Sequence, residues 1–322
     1  MSDAGSWRPT ASTAALRRRA EALRATREFF FAREVLEVET PAMIQAPVSD
    51  VNLGSVRVQM AGSENALFLH TSPEYAMKRL LAAGSGDIYQ ICHVYRGAER
   101  GRQHNPEFTM LEWYRLGFSL EQLMREVADL TNHLLAAQWP VEFVSYRDAV
   151  HRHAGFDPLA ADIRELQRAA QSLGFDAAHA AKADRDELLD LIVGAQVGPA
   201  LGGSSLTFLH RYPASQAALA RLDPDDPRVA LRFELYHRGL ELANGYHELT
   251  DAAEQRARFA ADQKIRRSRG LPTFELDAHL LAALDAGLPD CAGVALGFDR
   301  VIMLAMKAAS IDEVIAFPTE RA

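Results

Sequence analysis

The sequence has few of the residues that mark several common protein classes. It contains only two cysteines in 322 residues, Cys92 and Cys291, and these form neither a Cys-x-x-Cys pair nor a cluster with histidine. A disulfide framework or a zinc site is therefore not supported, and we expect both thiols to be reduced and to lie in the core. No apolar run approaches about 18 residues, and no basic segment followed by an apolar one opens the chain. These absences predict a cytoplasmic protein with no membrane partner.

An excess of basic residues is also lacking. Lysine and arginine number 35 against 43 aspartates and glutamates, a net charge of −8. This balance argues against a protein whose main task is binding nucleic acid, although it leaves a local basic patch open. The glycine-rich segment at residues 194–205 has no Lys-Ser/Thr after its glycines and no strand before it, so we expect a plain loop there and no phosphate-binding loop. The remaining composition, 48% hydrophobic and 24% charged, is typical of a soluble globular enzyme.

The most informative stretch is YRGAERGRQHNPEFTMLEWY at residues 95–114. Aromatic and β-branched residues flank a cationic, glycine-containing middle, a pattern that predicts a hairpin with a charged tip. The tip carries four potential cations, Arg96, Arg100, Arg102 and His104. Such a density would repel itself unless an anion lies among the side chains, and a polyphosphate is the obvious candidate. The alternative is a surface hairpin whose arginines are simply solvated.

A second polar cluster is LRFELYHRGLELANGYHELTD at residues 231–251, which fits two strands joined at Arg238-Gly239. Its acids are Glu234, Glu241 and Glu248. Buried acids without nearby lysines need a neutralising cation, and hard divalent ions prefer oxygen ligands. We therefore expect Mg²⁺ beside the phosphates of a bound polyphosphate, with solvated strand acids as the alternative.

Three further segments carry signals. In GVALGFDRVIML, at residues 293–304, small residues form a strand that opens a helix, and the glycines let backbone approach a ligand closely. Thr13 is expected to cap a helix to about residue 32, followed by a strand that breaks at Pro41. In TSPEYAMKRLL, Thr71 or Ser72 caps a short helix in which Glu74 supplies first-turn negative charge.

Three segments resemble the class II aminoacyl-tRNA synthetases. The helix and strand ending at Pro41 are similar to motif 1, the hairpin is similar to motif 2, and the GVALGFDR segment is similar to motif 3. HNPEFTMLEWY and ELANGYHELTD are similar to the lysine-specific branch of that superfamily. The resemblance covers nearly the whole chain. It implies an α+β fold, a mostly antiparallel sheet flanked by helices, as one catalytic domain over residues 1–322, with 1–12 a loose tail and 141–204 an insertion. It also implies a homodimer, with Pro41 near the partner's active site.

For ATP, the resemblance implies a site that contains Arg96, Glu99, Arg102, His104, Asn105, Phe108, Glu241 and Arg300. Arg96, at the α-phosphate, and Arg300 are the expected catalytic residues. Phe108 would stack under adenine with Arg300 above it, because a guanidinium stacks on an aromatic plane. Glu234 and Glu241 correspond to the metal-binding acids. One departure is Ala98, where the family has a glutamate, with Glu99 one residue later.

For the amino acid, the resemblance implies a pocket lined by Ser72, Glu74, Glu112, Tyr114, Asn244, Glu248 and Ala295. Asn244 would hold the substrate carboxylate and Glu248 the distal amino group. Glu74 either meets the other amino group or serves only as a helix-start acid. A pocket rich in acids suits a diamino acid.

Two features bear on the acceptor of the activated acyl group. The first motif begins within about 40 residues of the start, so we expect no anticodon-binding OB-fold domain before it, and Ala295 stands where tRNA-charging relatives have glycine. Together they resemble the elongation factor P lysine ligases, truncated paralogues of the lysyl-tRNA synthetases. The implied reaction is ATP-dependent activation of (R)-β-lysine and its transfer to a lysine side chain of elongation factor P, without stable nucleic-acid binding.

Two rival functions stay open. One is a lysyl-tRNA synthetase-like enzyme that charges tRNA. The other is a non-catalytic amino-acid sensor, which is disfavoured because Arg96, His104, Glu241 and Arg300 are all present. We also expect the extra methyl of Ala295 to shift the amino-group position that the pocket accepts.

Overall fold

The computed structural model describes residues 7–62, 66–97 and 99–322. The strands are β1 Leu36–Glu37, β2 Met43–Ile44, β3 Val56–Gln59, β4 Ala66–Leu69, β5 Ile88–Tyr95, β6 Glu107–Leu116, β7 Val141–Ser145, β8 Leu206–Pro213, β9 Val229–His237, β10 Leu240–His247 and β11 Cys291–Gly297. The helices are α1 Thr13–Phe31, α2 Glu74–Ala82, α3 Leu120–Leu135, α4 Tyr146–Ala154, α5 Ile163–Ser172, α6 Ala177–Lys182, α7 Arg185–Ile192, α8 Ala252–Ser268, α9 Ala278–Gly287 and α10 Phe298–Met306.

The chain folds as two compact units. The first contains the described residues up to Phe118 together with Asp129–Ala137 and Leu249–Ala322, and the second contains Ser119–Ala128 and Gln138–Glu248. The expectation of one catalytic domain over residues 1–322 stays a prediction.

In the first unit, four strands are neighbours in the order β1, β5, β6, β11. The β1–β5 pair is parallel, and the β5–β6 and β6–β11 pairs are antiparallel. Helix α1 covers one face, where the Phe30 ring stacks on Tyr89 at 4.4 Å and meets Trp113 edge-on at 5.4 Å. Because strand side chains alternate, the other face carries Phe108, Glu112 and its neighbours in register. The smaller sheet β2–β4–β3 is antiparallel.

In the second unit, the strands run in the order β10, β9, β8, β7, and only the β7–β8 pair is parallel. Residues 141–204, which the sequence left uncertain, form β7 and helices α4 to α7 over a core that includes Tyr146, Leu166, Leu188 and Phe156. The side chains of Asp162 and Asp184 cap α5 and α7. The mostly antiparallel α+β fold class is confirmed.

The glycine-rich segment is more ordered than the predicted loop. It continues α7 as a π-helical turn, Val193–Val197, and then a 3₁₀ turn, Gly198–Ala200. Gly239, at the tip of the β9–β10 hairpin, has φ of 71°, and a Cβ there would lie 2.8 Å from the Pro199 carbonyl oxygen. Gly239 thus allows the hairpin to approach the backbone of the segment closely.

Several smaller predictions are resolved. Ser12, one residue before the predicted Thr13, caps α1 by accepting from the Ala15 amide at 3.1 Å, since the cap precedes the first helical residue. The β3–β4 hairpin is present, while the tip at residues 63–65 lies outside the described residues. Within the part of the chain that the structure describes, no helix has the length and apolar character needed to cross a bilayer.

Candidate active site

The charged hairpin is formed by β5 and β6, paired from Ile88–Tyr114 to Tyr95–Glu107. Its Arg96 guanidinium lies 5.2 Å from the centroid of the Phe108 ring and 3.5 Å from the Glu99 carboxylate. Arg96 Nε also donates to the Thr71 carbonyl at 3.5 Å. Ala98, the departure from the family pattern, lies outside the described residues. Glu99 therefore supplies an acid beside Arg96 one residue later than the family pattern.

Arg300 lies on the first turn of α10 and contacts the hairpin tip. Its Nη2 is 2.6 Å from His104 Nε2. An arginine only donates hydrogen bonds, so His104 Nε2 accepts and the imidazole is neutral. Burial, followed by the positive charges of Arg300 and Arg96, lowers the pKa of His104 below its ordinary value. The structure thus brings together Arg96, His104 and Arg300, three of the predicted ATP-site residues.

The remaining tip cations have protein partners. Arg100 forms ion pairs with Asp312 at 3.2 Å and with Glu320. Arg102 Nη2 donates to the Ala309 carbonyl at 3.2 Å. The inference that the tip needs an external anion to offset four cations was therefore wrong for Arg100, because side chains far along the sequence neutralise it. A phosphate-binding role for Arg102 stays a prediction.

Asn105 is fully used in shaping the loop. It is buried, its Nδ2 donates to the Glu107 carbonyl at 2.6 Å, and its Oδ1 accepts from the Thr319 amide at 3.2 Å. The structure supports a positioning role for this predicted ATP ligand.

The β5–β6–β11 face opposite α1 carries the predicted amino-acid pocket of the first unit. Glu112 is buried and accepts from Ser72 Oγ at 2.7 Å and from the Tyr114 hydroxyl at 2.8 Å. Ala295 pairs directly with Glu112 across β6 and β11, so both side chains lie on this face. Ser72, Glu112, Tyr114 and Ala295 are therefore assembled in one place.

Glu74 begins α2 and has a partner that sequence reasoning missed. Lys78, 2% exposed, places its Nζ 2.6 Å from Glu74 Oε1. The i,i+4 spacing on a helix was the available signal. A substrate amino group that approached Glu74 would therefore meet an ion pair and not a lone carboxylate. The role of Glu74 in binding that amino group stays a prediction.

In the second unit, β9 and β10 present a continuous polar face. Glu234 bonds to Arg232 Nη2 at 2.5 Å and accepts from the Tyr236 hydroxyl at 2.7 Å. The strand register pairs Glu241 with Tyr236 and Asn244 with Glu234, with a β-bulge after Glu241. The bulge places Glu241 and Asn244 on the same face although three residues separate them.

Arg232 is the second residue that the sequence analysis missed. Besides binding Glu234, its Nε donates to Asn244 Oδ1 at 3.3 Å and its guanidinium lies 4.2 Å from the Tyr212 ring centroid. The expectation that the strand acids need an added cation was therefore wrong for Glu234, because Arg232 neutralises it. Arg232 thus orients Asn244, the predicted carboxylate ligand. Glu248, at the end of the same face, is buried.

The metal expectation can be tested on these contacts. No group of three or more His, Cys, Asp or Glu side chains with metal-binding geometry occurs among residues 7–62, 66–97 and 99–322. Mg²⁺, however, commonly takes one or two carboxylates and completes its shell with substrate phosphates and water. Glu234 binds Arg232, and Glu241 lies opposite Tyr236 on the neighbouring strand, on the same face as Glu234. The residues fit a site that the nucleotide completes.

Comparison with known proteins adds to this geometry. A family model described as tRNA synthetases class II (D, K and N) matches residues 5–321. Among curated relatives, proteins from Klebsiella pneumoniae (strain 342), Edwardsiella ictaluri (strain 93-146) and Salmonella arizonae are 50%, 51% and 49% identical over 326 aligned positions that cover all of both chains. Each carries the name elongation factor P–(R)-β-lysine ligase. The chain belongs to the class II tRNA synthetase family of the D, K and N type.

Proposed function

We propose that this protein activates (R)-β-lysine with ATP and transfers it to a lysine side chain of elongation factor P. The observation that carries the proposal is the half-identity, over the full length of both chains, to relatives that bear the name of this ligase. The site geometry supports the activation step, because Arg96, Phe108 and the Arg300–His104 pair lie together.

In the first step, a carboxylate oxygen of the amino acid attacks the α-phosphorus of ATP, and the bond to the leaving pyrophosphate breaks. Arg96 would neutralise the charge that develops on the α-phosphate oxygens, and Phe108 and Arg300 would hold the adenine. Such catalysis is mainly positioning and charge stabilisation. Mg²⁺ would be held by Glu241, with Glu234 beside it, and would neutralise phosphate charge.

In the second step, the amine nitrogen of the acceptor lysine attacks the acyl carbon of the adenylate. The acyl–oxygen bond to AMP breaks, the nitrogen loses a proton, and an amide forms. Asn244, oriented by Arg232, would hold the substrate carboxylate during activation, and the acids Glu74, Glu112 and Glu248 would receive the two amino groups. The homodimer and the cytoplasmic location expected from the sequence belong to this proposal.

The acceptor is tested by incubating the purified protein with ATP and labelled (R)-β-lysine in the presence of either purified elongation factor P or purified tRNA. We expect label on elongation factor P only. Label on tRNA would instead favour the tRNA-charging alternative. Absence of ATP–pyrophosphate exchange with both lysine and (R)-β-lysine would favour the sensor.

A further inference from the structure

We propose that Gln90 is a further substrate-binding residue, whose side-chain carbonyl accepts a hydrogen bond from an ammonium group of the diamino acid beside Glu112. This inference rests on the proposed function and deepens it. It adds to the pocket a residue that lies outside the motif segments.

The first observation is the burial of an acceptor. Gln90 lies in the middle of β5 and is 2% exposed. Its Oε1 accepts no hydrogen bond from any part of the chain that the structure describes. Buried side-chain carbonyls almost always have a donor, because leaving one without a partner costs the desolvation energy of the group. A ligand that brings a donor would remove this cost.

The second observation is position. Gln90 pairs with Glu112 across β5 and β6, and Glu112 pairs with Ala295 across β6 and β11. Residues directly opposite on neighbouring strands point to the same face, so these three side chains form a row across the pocket face. Helix α1 covers the other face, through Tyr89 and its neighbours. Gln90 therefore belongs to the pocket floor.

The third observation is the polar neighbourhood of the amide. Burial and the nearby Glu112 charge raise the pKa of the Cys92 thiol to about 12, and a hydrogen bond from the Gln90 side chain acts in the opposite direction. Gln90 and Cys92 lie two residues apart on β5, so both side chains face the same side of the sheet as Glu112.

The chemistry of the row fits an ammonium group. An ammonium has three donors and no acceptor, and Glu112 supplies one negative charge held in place by Ser72 and Tyr114. A neutral amide beside Glu112 adds an acceptor without adding a second charge. One positive group would therefore be bound by one carboxylate and one carbonyl.

The test is ATP–pyrophosphate exchange by the full-length protein with Gln90→Met, which keeps the side-chain length and removes the acceptor. We expect the KM for (R)-β-lysine to rise about tenfold while the KM for ATP stays within about twofold, the size of one hydrogen bond to a charged group. Gln90→Glu restores an acceptor but places a second carboxylate opposite Glu112, so its KM for (R)-β-lysine should lie between those of Gln90→Met and the wild type. Thr131→Val is the matched control, because it removes a different buried side-chain oxygen, a hydroxyl, that likewise has no hydrogen-bond partner among the described residues.

An unchanged KM for (R)-β-lysine in Gln90→Met, or an equal rise for both substrates, would overturn the inference. If Gln90→Met does not fold, Gln90→Asn, which draws the carbonyl back by one methylene, replaces it with the same expectations. The two proposals fail differently. A wild-type protein that shows no exchange with (R)-β-lysine removes the proposed function, whereas an active wild type with a normal Gln90→Met removes only the role of Gln90.

Discussion

At the scale of single residues, Arg96 combines a charge with a planar contact. Its guanidinium lies over Phe108 and within ion-pair distance of Glu99. We expect Arg96→Lys to lower kcat/KM for pyrophosphate exchange by about 100-fold, because a lysine keeps the charge but loses the fixed fork of donors aimed at the phosphate. Steady-state kinetics of exchange measure this loss.

Arg100 provides the matched control for Arg96. It lies on the same hairpin, but its guanidinium binds Asp312 and Glu320. Arg100→Lys should leave the exchange kinetics within about threefold, because exposed ion pairs contribute little. Equal losses in both variants would show that the hairpin fold, and not the Arg96 fork, limits the reaction.

From the sequence, we could predict which residues belong to the site more reliably than which side chains they bind. Arg96, His104 and Arg300 were predicted to share a site and do lie together. Lys78 and Arg232 were missed, although each has a signal at short range: an i,i+4 acid–base pair on a helix and an i,i+2 pair on a strand face. The partners of Arg100 could not be found, because more than 200 residues separate it from Asp312 and Glu320.

At the scale of secondary-structure elements, one buried carboxylate joins three of them. Asp299, 1% exposed at the start of α10, binds Arg19 of α1 and accepts from the Thr109 amide of β6 at 2.7 Å. Arg19 also donates to Thr109 Oγ1 at 2.5 Å. Thr109 follows Phe108, and Asp299 precedes Arg300. The same contacts therefore fix the relative positions of both predicted adenine-binding side chains.

We expect Asp299→Asn to lower the free energy of unfolding by about 3 kcal/mol, because it leaves the largely buried Arg19 without its counter-charge. Urea denaturation followed by circular dichroism measures the change. Asp285→Asn, which breaks an exposed pair with Arg256 between α8 and α9, is the control and should have little effect. Similar losses in the two variants would contradict a special role for Asp299.

The starts of helices could be predicted from short sequence patterns, whereas irregular turns and bulges could not. Helix starts have local side-chain caps, such as the capping box of Ser119 and Gln122 and the cap at Asp184. The π-helical turn Val193–Val197 and the β-bulge after Glu241 have no local signature that we used. The π-helical turn packs in a core with residues distant in sequence, among them Val150 and Tyr236.

At the scale of the whole molecule, five histidines make stability sensitive to acid. Burial lowers the pKa of His70, His104, His210, His237 and His247, the last to about 4. Between each lowered pKa and the ordinary value near 6.5, the unfolded chain binds protons that the folded chain excludes. Stability therefore rises with pH in this window and falls as pH decreases.

We expect the midpoint of urea unfolding to be constant just above pH 7 and to decrease steadily from about pH 6.5 to pH 4. Denaturation series at four pH values measure the slope. His247→Asn should flatten the acid end of the curve, because it removes the group with the pKa of about 4. A midpoint that does not change between pH 7 and pH 4 would contradict the assignment of these histidines as buried and neutral.

The bulge in β10 has a consequence for comparing sequences. In a regular strand, side chains separated by an odd number of residues point to opposite sides, yet Glu241 and Asn244 share one side. When two polar side chains of one strand bind the same ligand and an odd number of positions separates them, a β-bulge is expected between them. If an alignment removed one residue between Glu241 and Asn244, the even spacing would still put both side chains on one side of a regular strand. The aligned sequence would then no longer indicate the β-bulge.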